Sequence, residues 1–91
     1  MTEAIEIPIE DNLDLHTFAP DETGLVLEEY FWACRRKGLL EVRVIHGKGR
    51  GVLKAGVEAF LRKSPDVESF HPAPPEQGGW GAVIVRLKPP V

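Results

Sequence analysis

The spacing of apolar residues predicts two helices, each with one buried face. Apolar side chains recur every three to four positions across residues 20–37, and Gly38 supplies a C-terminal stop. A second pattern of this kind follows Gly51 and ends at Ser64-Pro65. The predicted buried positions are Leu27, Tyr30, Phe31 and Cys34 in the first helix and Leu53, Val57, Phe60 and Leu61 in the second.

Shorter stretches of alternating or β-branched residues predict four strands. They cover residues 13–16, 40–46, 67–70 and 82–87. Residues 1–12 also alternate, but Pro8 cannot donate a ladder hydrogen bond. We therefore predict an N-terminal arm or edge strand at residues 1–12 and a single domain at residues 13–91.

The predicted order of elements is β-α-β-α-β-β, which places the chain in the α/β class. A helix between two strands joins them in parallel through a right-handed crossover in nearly every case, so both helices should cover one face of the sheet. The last strand follows a Pro- and Gly-rich loop at residues 71–81 and is expected to run antiparallel. The pattern predicts a two-layer sandwich whose strands bring three C-terminal ends and one start to a shared edge.

Length and composition limit the chain to one small hydrophobic core. It has 91 residues and a single cysteine, which excludes a disulfide framework. The opening residues lack the basic start and apolar run of a signal peptide, and no stretch approaches the roughly 20 apolar residues of a membrane span. We expect a cytoplasmic monomer with no membrane partner.

The net charge of −3 conceals an uneven distribution. Residues 1–29 carry nine acidic side chains and no basic one, whereas residues 30–63 carry nine basic and two acidic ones. Overall acidity argues against loose electrostatic binding of nucleic acid. A local basic patch can still steer an anionic ligand, because the potential near a site matters more than the total charge.

Histidines and glycines follow the predicted strands, where open α/β sheets bind their ligands. His16 ends the first strand, His46 ends the second, and His71 follows the third. We favour a functional role for the first two and a structural or merely exposed role for His71. A second glycine cluster, Gly78-Gly79-Trp80-Gly81, opens the fourth strand at the same edge.

The turn after His46 has the composition of a phosphate-binding loop. Its glycines, Gly47, Gly49 and Gly51, allow close approach of the backbone, and the helix that follows offers unpaired N–H groups to an anion. Lys48 and Arg50 add positive charge. The spacing is neither that of a P-loop nor that of a dinucleotide fingerprint, and a tight strand-to-helix turn would also need glycines.

Three motifs in order resemble the Smr (small MutS-related) domain family. Leu13-Asp14-Leu15-His16 looks like its LDxH motif, His46-Gly47-Lys48-Gly49 like HGxG, and residues 78–82 (GGWGA) like GGxGA. The resemblance covers about residues 13–88. It implies a βαβαββ sandwich with sheet order 1-2-4-3, and the family's functional positions correspond to Asp14, His16, His46, Gly47, Gly49, Gly78, Gly79 and Gly81.

The family resemblance implies an endonuclease that nicks DNA or cleaves RNA, some members preferring branched structures. Such domains occur at the C-terminus of MutS2-type proteins or, as this length suggests, as stand-alone proteins. Two positions depart from the family pattern: Thr17 stands where glycine is common, and Val83 stands where threonine is common. The second change removes a hydroxyl group that we expect in the loop.

Phosphodiester cleavage suggests a division of roles at this edge. We predict that His16 and His46 transfer protons, that Asp14 orients an imidazole, and that Lys48 with the glycine amides holds the phosphate. RNA carries its own 2′-hydroxyl nucleophile, whereas DNA needs water that is commonly activated by a metal ion. The sequence predicts no metal site and leaves the cofactor unknown, with a divalent cation such as Mg²⁺ or Mn²⁺ as the candidate.

Two alternatives to an enzyme remain open at the level of sequence. One is a non-catalytic module that binds DNA or RNA, structured or branched, through Lys48 and Arg50. The other is a protein-interaction domain anchored by Trp32 and Trp80, since tryptophan is enriched at binding hot spots. Trp80 could instead stack on a base.

Overall fold

A computed structural model describes residues 9–15, 17–47 and 51–90 of the chain. The predicted N-terminal arm therefore lies outside the described residues from position 1 to position 8. The regular elements are β1 (Asn12–Asp14), α1 (Thr23–Lys37), β2 (Glu41–Ile45), α2 (Val52–Lys63), β3 (Val67–Pro72) and β4 (Ala82–Leu87). Short 3₁₀ turns span Pro20–Glu22, Pro75–Gln77 and Gly79–Gly81.

The four strands form one mixed sheet in the order β1-β2-β4-β3. β1 is parallel to β2, and β4 runs antiparallel to both β2 and β3. The sheet order and the antiparallel last strand confirm the predicted fold class. The register pairs Asp14 with Ile45 and Ile45 with Ala82, so the end of β1, the end of β2 and the start of β4 share one edge of the sheet.

The hydrophobic core lies between the sheet and the two helices. Alternate residues of β1, β2 and β4 face it, because successive strand side chains point to opposite sides of a sheet. Phe31 is 1% exposed and contacts the rings of Tyr30 and Phe60, with centroids 5.9 and 6.3 Å away. The buried members are Leu13, Leu15, Leu27, Tyr30, Phe31, Cys34, Val42, Val44, Val57, Leu61, Val67, Val83, Val85 and Leu87.

The single cysteine belongs to this core. Cys34 is fully buried, and burial raises the pKa of its thiol. A thiol held protonated in apolar surroundings is a poor nucleophile. Cys34 therefore serves packing rather than chemistry.

The third strand is longer than the apolar pattern predicts. β3 extends to Pro72, because Phe70, His71 and Pro72 continue the ladder with β4. β3 is an edge strand, where a proline is tolerated. The prediction that His71 follows the third strand is wrong. His71 lies within β3, is exposed, and pairs with Ile84, which is two residues after the start of β4.

Truncation of Phe31 tests the packing of α1 on the sheet. Phe31→Ala should lower the free energy of unfolding by about 3–5 kcal/mol, because it removes a fully buried ring and leaves a cavity. Leu25→Ala is the matched control, since Leu25 lies on the same helix but is 62% exposed. We expect the control to change stability by no more than about 0.5 kcal/mol in urea denaturation. Equal effects of the two variants would contradict this packing.

Candidate functional site

Two glycine-rich turns are joined by a shared hydrogen-bond acceptor. The backbone N–H groups of His46 and Gly47 both donate to the carbonyl oxygen of Gly81, at 2.8 and 2.9 Å. These bonds continue the β2–β4 ladder past its last pair, Ile45 and Ala82. The turn that follows β2 and the turn that precedes β4 therefore form one backbone unit.

Gly78 is required by the geometry of the second turn. Its φ of +112° is rarely adopted by residues with a side chain. A Cβ atom at this position would also lie 2.9 Å from the Cβ atom of Ala82, closer than real contacts allow. In the first turn, Gly47 has a φ of +84°, and a Cβ atom there would have no neighbour within 4 Å among the described residues, so the backbone angle favours glycine.

Backbone hydrogen bonds order the loop before β4. The N–H groups of Gln77 and Gly79 donate to Pro74 O at 2.8 and 3.0 Å, and Gly81 N–H donates to Gly78 O at 3.0 Å. The guanidinium of Arg43 in β2 donates to Gln77 O at 3.2 Å, which holds the loop against the sheet. This loop is thus fixed by local turns and one side chain from the neighbouring strand.

His46 is buried at the junction of the two turns. Only 5% of the residue is exposed, and its Nδ1 atom lies 2.9 Å from Gly47 O. A carbonyl oxygen can only accept, so Nδ1 carries the hydrogen and donates it. In the neutral ring, Nε2 is then the nitrogen with a lone pair, which can accept a proton.

Asp14 reaches the same edge on the neighbouring strand. It ends β1, pairs with Ile45, and is half-buried. Leu13 and Leu15 on either side of it face the core, so Asp14 lies on the sheet face away from the helices. The orientation of an imidazole by Asp14 stays a prediction.

Four predicted site residues lie outside the part of the chain that the structure describes: His16, Lys48, Gly49 and Arg50. Their roles stay predictions. Gly51, which closes the turn, is described and has a φ of +85° at the start of α2. Its carbonyl accepts the N–H of Ala55 at 2.9 Å, the first hydrogen bond of the helix.

Trp80 projects from the second turn and contacts the start of α2. The residue is 71% exposed, and the Lys54 ammonium lies 4.5 Å from the centroid of its ring. Lys54 occupies the first turn of α2, where backbone N–H groups have no partner within the helix. Sequence reasoning missed Lys54, because nothing in the local pattern indicates that α2 meets the GGWG loop.

Three further observations concern metal ligands, membrane-spanning helices and the environment of Val83. Within residues 9–15, 17–47 and 51–90, no group of three or more His, Cys, Asp and Glu side chains could hold a metal ion. Over the same residues, the helices are too short or too polar to cross a membrane. Val83 packs in the core and is 3% exposed, so the expectation that a hydroxyl at this position would face the loop is wrong.

Comparison with known proteins identifies relatives over most of the chain. The Smr domain family model matches residues 13–88. Endonuclease MutS2 of Thermus thermophilus is 38% identical over 77 residues, which cover 85% of this chain and 10% of MutS2. Ribosome rescue factor SmrB of Aliivibrio fischeri is 38% identical over 78 residues, which cover 86% of this chain and 44% of SmrB. The chain thus spans a tenth to under half of the length of these relatives.

A solved structure has the same fold. The crystal structure of the Smr domain of Thermus thermophilus MutS2 matches with a TM-score of 0.82 and 36% sequence identity. The match covers 88% of this chain and 100% of that chain. The shared region therefore corresponds to a complete domain of that larger protein.

Replacement of Gly78 tests the geometry of the second turn. Gly78→Ala should lower the free energy of unfolding by about 1–3 kcal/mol, because alanine is strained at this φ and its Cβ would contact Ala82. Gly56→Ala is the matched control: Gly56 lies in α2, where no described residue comes within 4 Å of an added Cβ atom, and alanine there should stabilise the protein by about 0.5–1 kcal/mol. Thermal denaturation of both variants checks the opposite signs. A neutral or stabilising Gly78→Ala would contradict the described turn.

Proposed function

The chain belongs to the Smr domain family. We propose that it binds nucleic acid at the end of the sheet where the two glycine-rich turns meet, and that it cleaves phosphodiester bonds there. The proposed activity is that of an endonuclease that nicks DNA or cleaves RNA. Relatives named as an endonuclease and as a ribosome rescue factor support a substrate that is nucleic acid. The domain would act on DNA in repair or recombination, or on RNA.

The observation that carries this proposal is the fixed ring of His46. Its Nδ1–H donates to Gly47 O, and the backbone N–H groups of His46 and Gly47 hold the turn to Gly81. A proton acceptor whose orientation is set before substrate binds is suited to general base catalysis. Two glycine turns beside it allow a phosphate to approach the backbone.

In the proposed reaction, His46 Nε2 accepts the proton of the attacking oxygen. That oxygen is the 2′-hydroxyl of the preceding nucleotide in RNA or a water molecule in DNA. It forms a bond to phosphorus, while the bond from phosphorus to the leaving oxygen breaks and His16, in its protonated form, donates a proton to that oxygen. Asp14 orients an imidazole, and Lys48 with the glycine amides stabilises charge on the phosphate.

Electrostatics near α2 supports phosphate binding. The first turn of α2 has unpaired N–H groups and the positive end of the helix dipole, and Lys54 adds a full charge there. Arg50 and Gly51 precede this helix in sequence. A divalent cation such as Mg²⁺ or Mn²⁺ is proposed only for a DNA substrate, where it would activate water.

Replacement of His46 by asparagine tests the proton-transfer role. Asparagine can keep a donor near Gly47 O but has no basic nitrogen in place of Nε2. We expect His46→Asn to lower kcat at least about 100-fold on supercoiled plasmid or structured RNA, with KM nearly unchanged. The cleavage assay is run with and without EDTA, and circular dichroism checks that the variant is folded.

His71→Asn is the matched control, because His71 is an exposed histidine inside β3. It should keep wild-type activity. Unchanged cleavage by folded His46→Asn would remove His46 from the chemistry. Wild-type protein that binds nucleic acid in a salt-sensitive way but forms no product would instead identify a non-catalytic binding module.

A further inference from the structure

The chain has two tryptophans. Both are exposed, and a cationic side chain lies over the ring of each. Trp80 is 71% exposed with the Lys54 ammonium 4.5 Å from its ring centroid. Trp32 on α1 is 59% exposed with the Arg36 guanidinium 4.8 Å from its ring centroid. Because the two side chains have such similar local contacts, what distinguishes them is their surroundings.

Trp32 lies in acidic surroundings. It lines an apolar groove of about 590 Å³ between α1 and β1, together with Ile9, Leu13, Glu28 and Glu29. The two carboxylates would repel a phosphate backbone. This groove is therefore a poor binding place for nucleic acid.

Trp80 lies in surroundings that attract anions. It stands between Gly79 and Gly81, and Gly81 is the residue that accepts the hydrogen bonds from His46 and Gly47. Its ring meets the first turn of α2, where Lys54 and unpaired N–H groups favour a phosphate. A large flat ring is thus attached to the same backbone unit that holds His46.

The exposure of Trp80 is suited to stacking on a nucleobase. Lys54 covers part of the ring, yet most of the residue stays open to solvent. Every base has a flat π face, so an exposed aromatic ring next to a positive charge binds single strands with little sequence preference. In a continuous duplex both faces of each base are already stacked, and such a ring gains nothing without unstacking.

We propose that Trp80 stacks on an unpaired base next to the phosphate held by the glycine turns, so that the substrate is a single-stranded or locally unpaired segment. Lys54 contacts the phosphate of the stacked nucleotide. This inference rests on the proposed function, since it names the substrate class of the same site. Trp80 occupies the variable position of the GGxGA motif, between Gly79 and Gly81.

Tryptophan fluorescence tests the stacking directly. In Trp32→Phe, Trp80 is the only tryptophan, so its emission reports on this site alone. Titration with single strands of about 10 nucleotides, both RNA and DNA, should quench that emission. A blunt duplex of the same sequence should quench it only at concentrations at least about tenfold higher.

Affinity measurements supply the matched comparison. Trp80→Ala should weaken single-strand binding about 10- to 100-fold and leave duplex binding nearly unchanged, and Trp80→Phe should retain part of the affinity. Trp32→Ala should change neither, although it also removes an exposed ring with a cation over it. Both positions are on the surface, so thermal denaturation should show little change in stability.

The outcomes separate this inference from the proposed function. If the wild-type protein binds or cleaves nucleic acid and Trp80→Ala does so equally well, the stacking is overturned and the proposed function stands. Equal losses in Trp32→Ala and Trp80→Ala, or equal quenching by duplex and single strand, would also overturn it. No interaction of the wild-type protein with any nucleic acid would overturn both.

Discussion

The site depends on one carbonyl oxygen. Gly81 O accepts hydrogen bonds from the N–H groups of both His46 and Gly47, which uses both of its lone pairs. The bonds exist because the antiparallel register places Ala82 opposite Ile45, so the chain entering β4 meets the chain leaving β2. Two motifs that are far apart in sequence thereby become one backbone unit, which includes His46 and in which Trp80 directly precedes Gly81.

Periodicity predicted the two helices because each has a single buried face. The stripes that begin at Leu27 and Leu53 match the faces of α1 and α2 that pack on the sheet. The end of β3 was missed because His71 and Pro72 carry no strand signal of their own and are extended by pairing with β4. Strand propensity is a weak guide where hydrogen bonding to a neighbouring strand determines the backbone conformation.

The site was predictable only in part. The order of strands and crossovers indicated that His46 and the Gly78–Gly81 turn share an edge, and the register confirms it. The hydrogen bond from His46 Nδ1 and the contact of Lys54 with Trp80 depend on side-chain directions that no local pattern contains. The burial of Val83 likewise follows from the pairing of β4 with β2.

The central claim is that His46 presents Nε2 as a proton acceptor to a bound nucleic acid. Long-range ¹H–¹⁵N correlation NMR of the histidine rings tests it most directly, because it distinguishes the two neutral tautomers and reports on each nitrogen. We expect hydrogen on Nδ1 of His46 in the free protein and a change in the Nε2 resonance when a single-stranded oligonucleotide binds. Hydrogen on Nε2 in the free protein would contradict the account, and so would an Nε2 resonance that does not shift at a saturating concentration of nucleic acid.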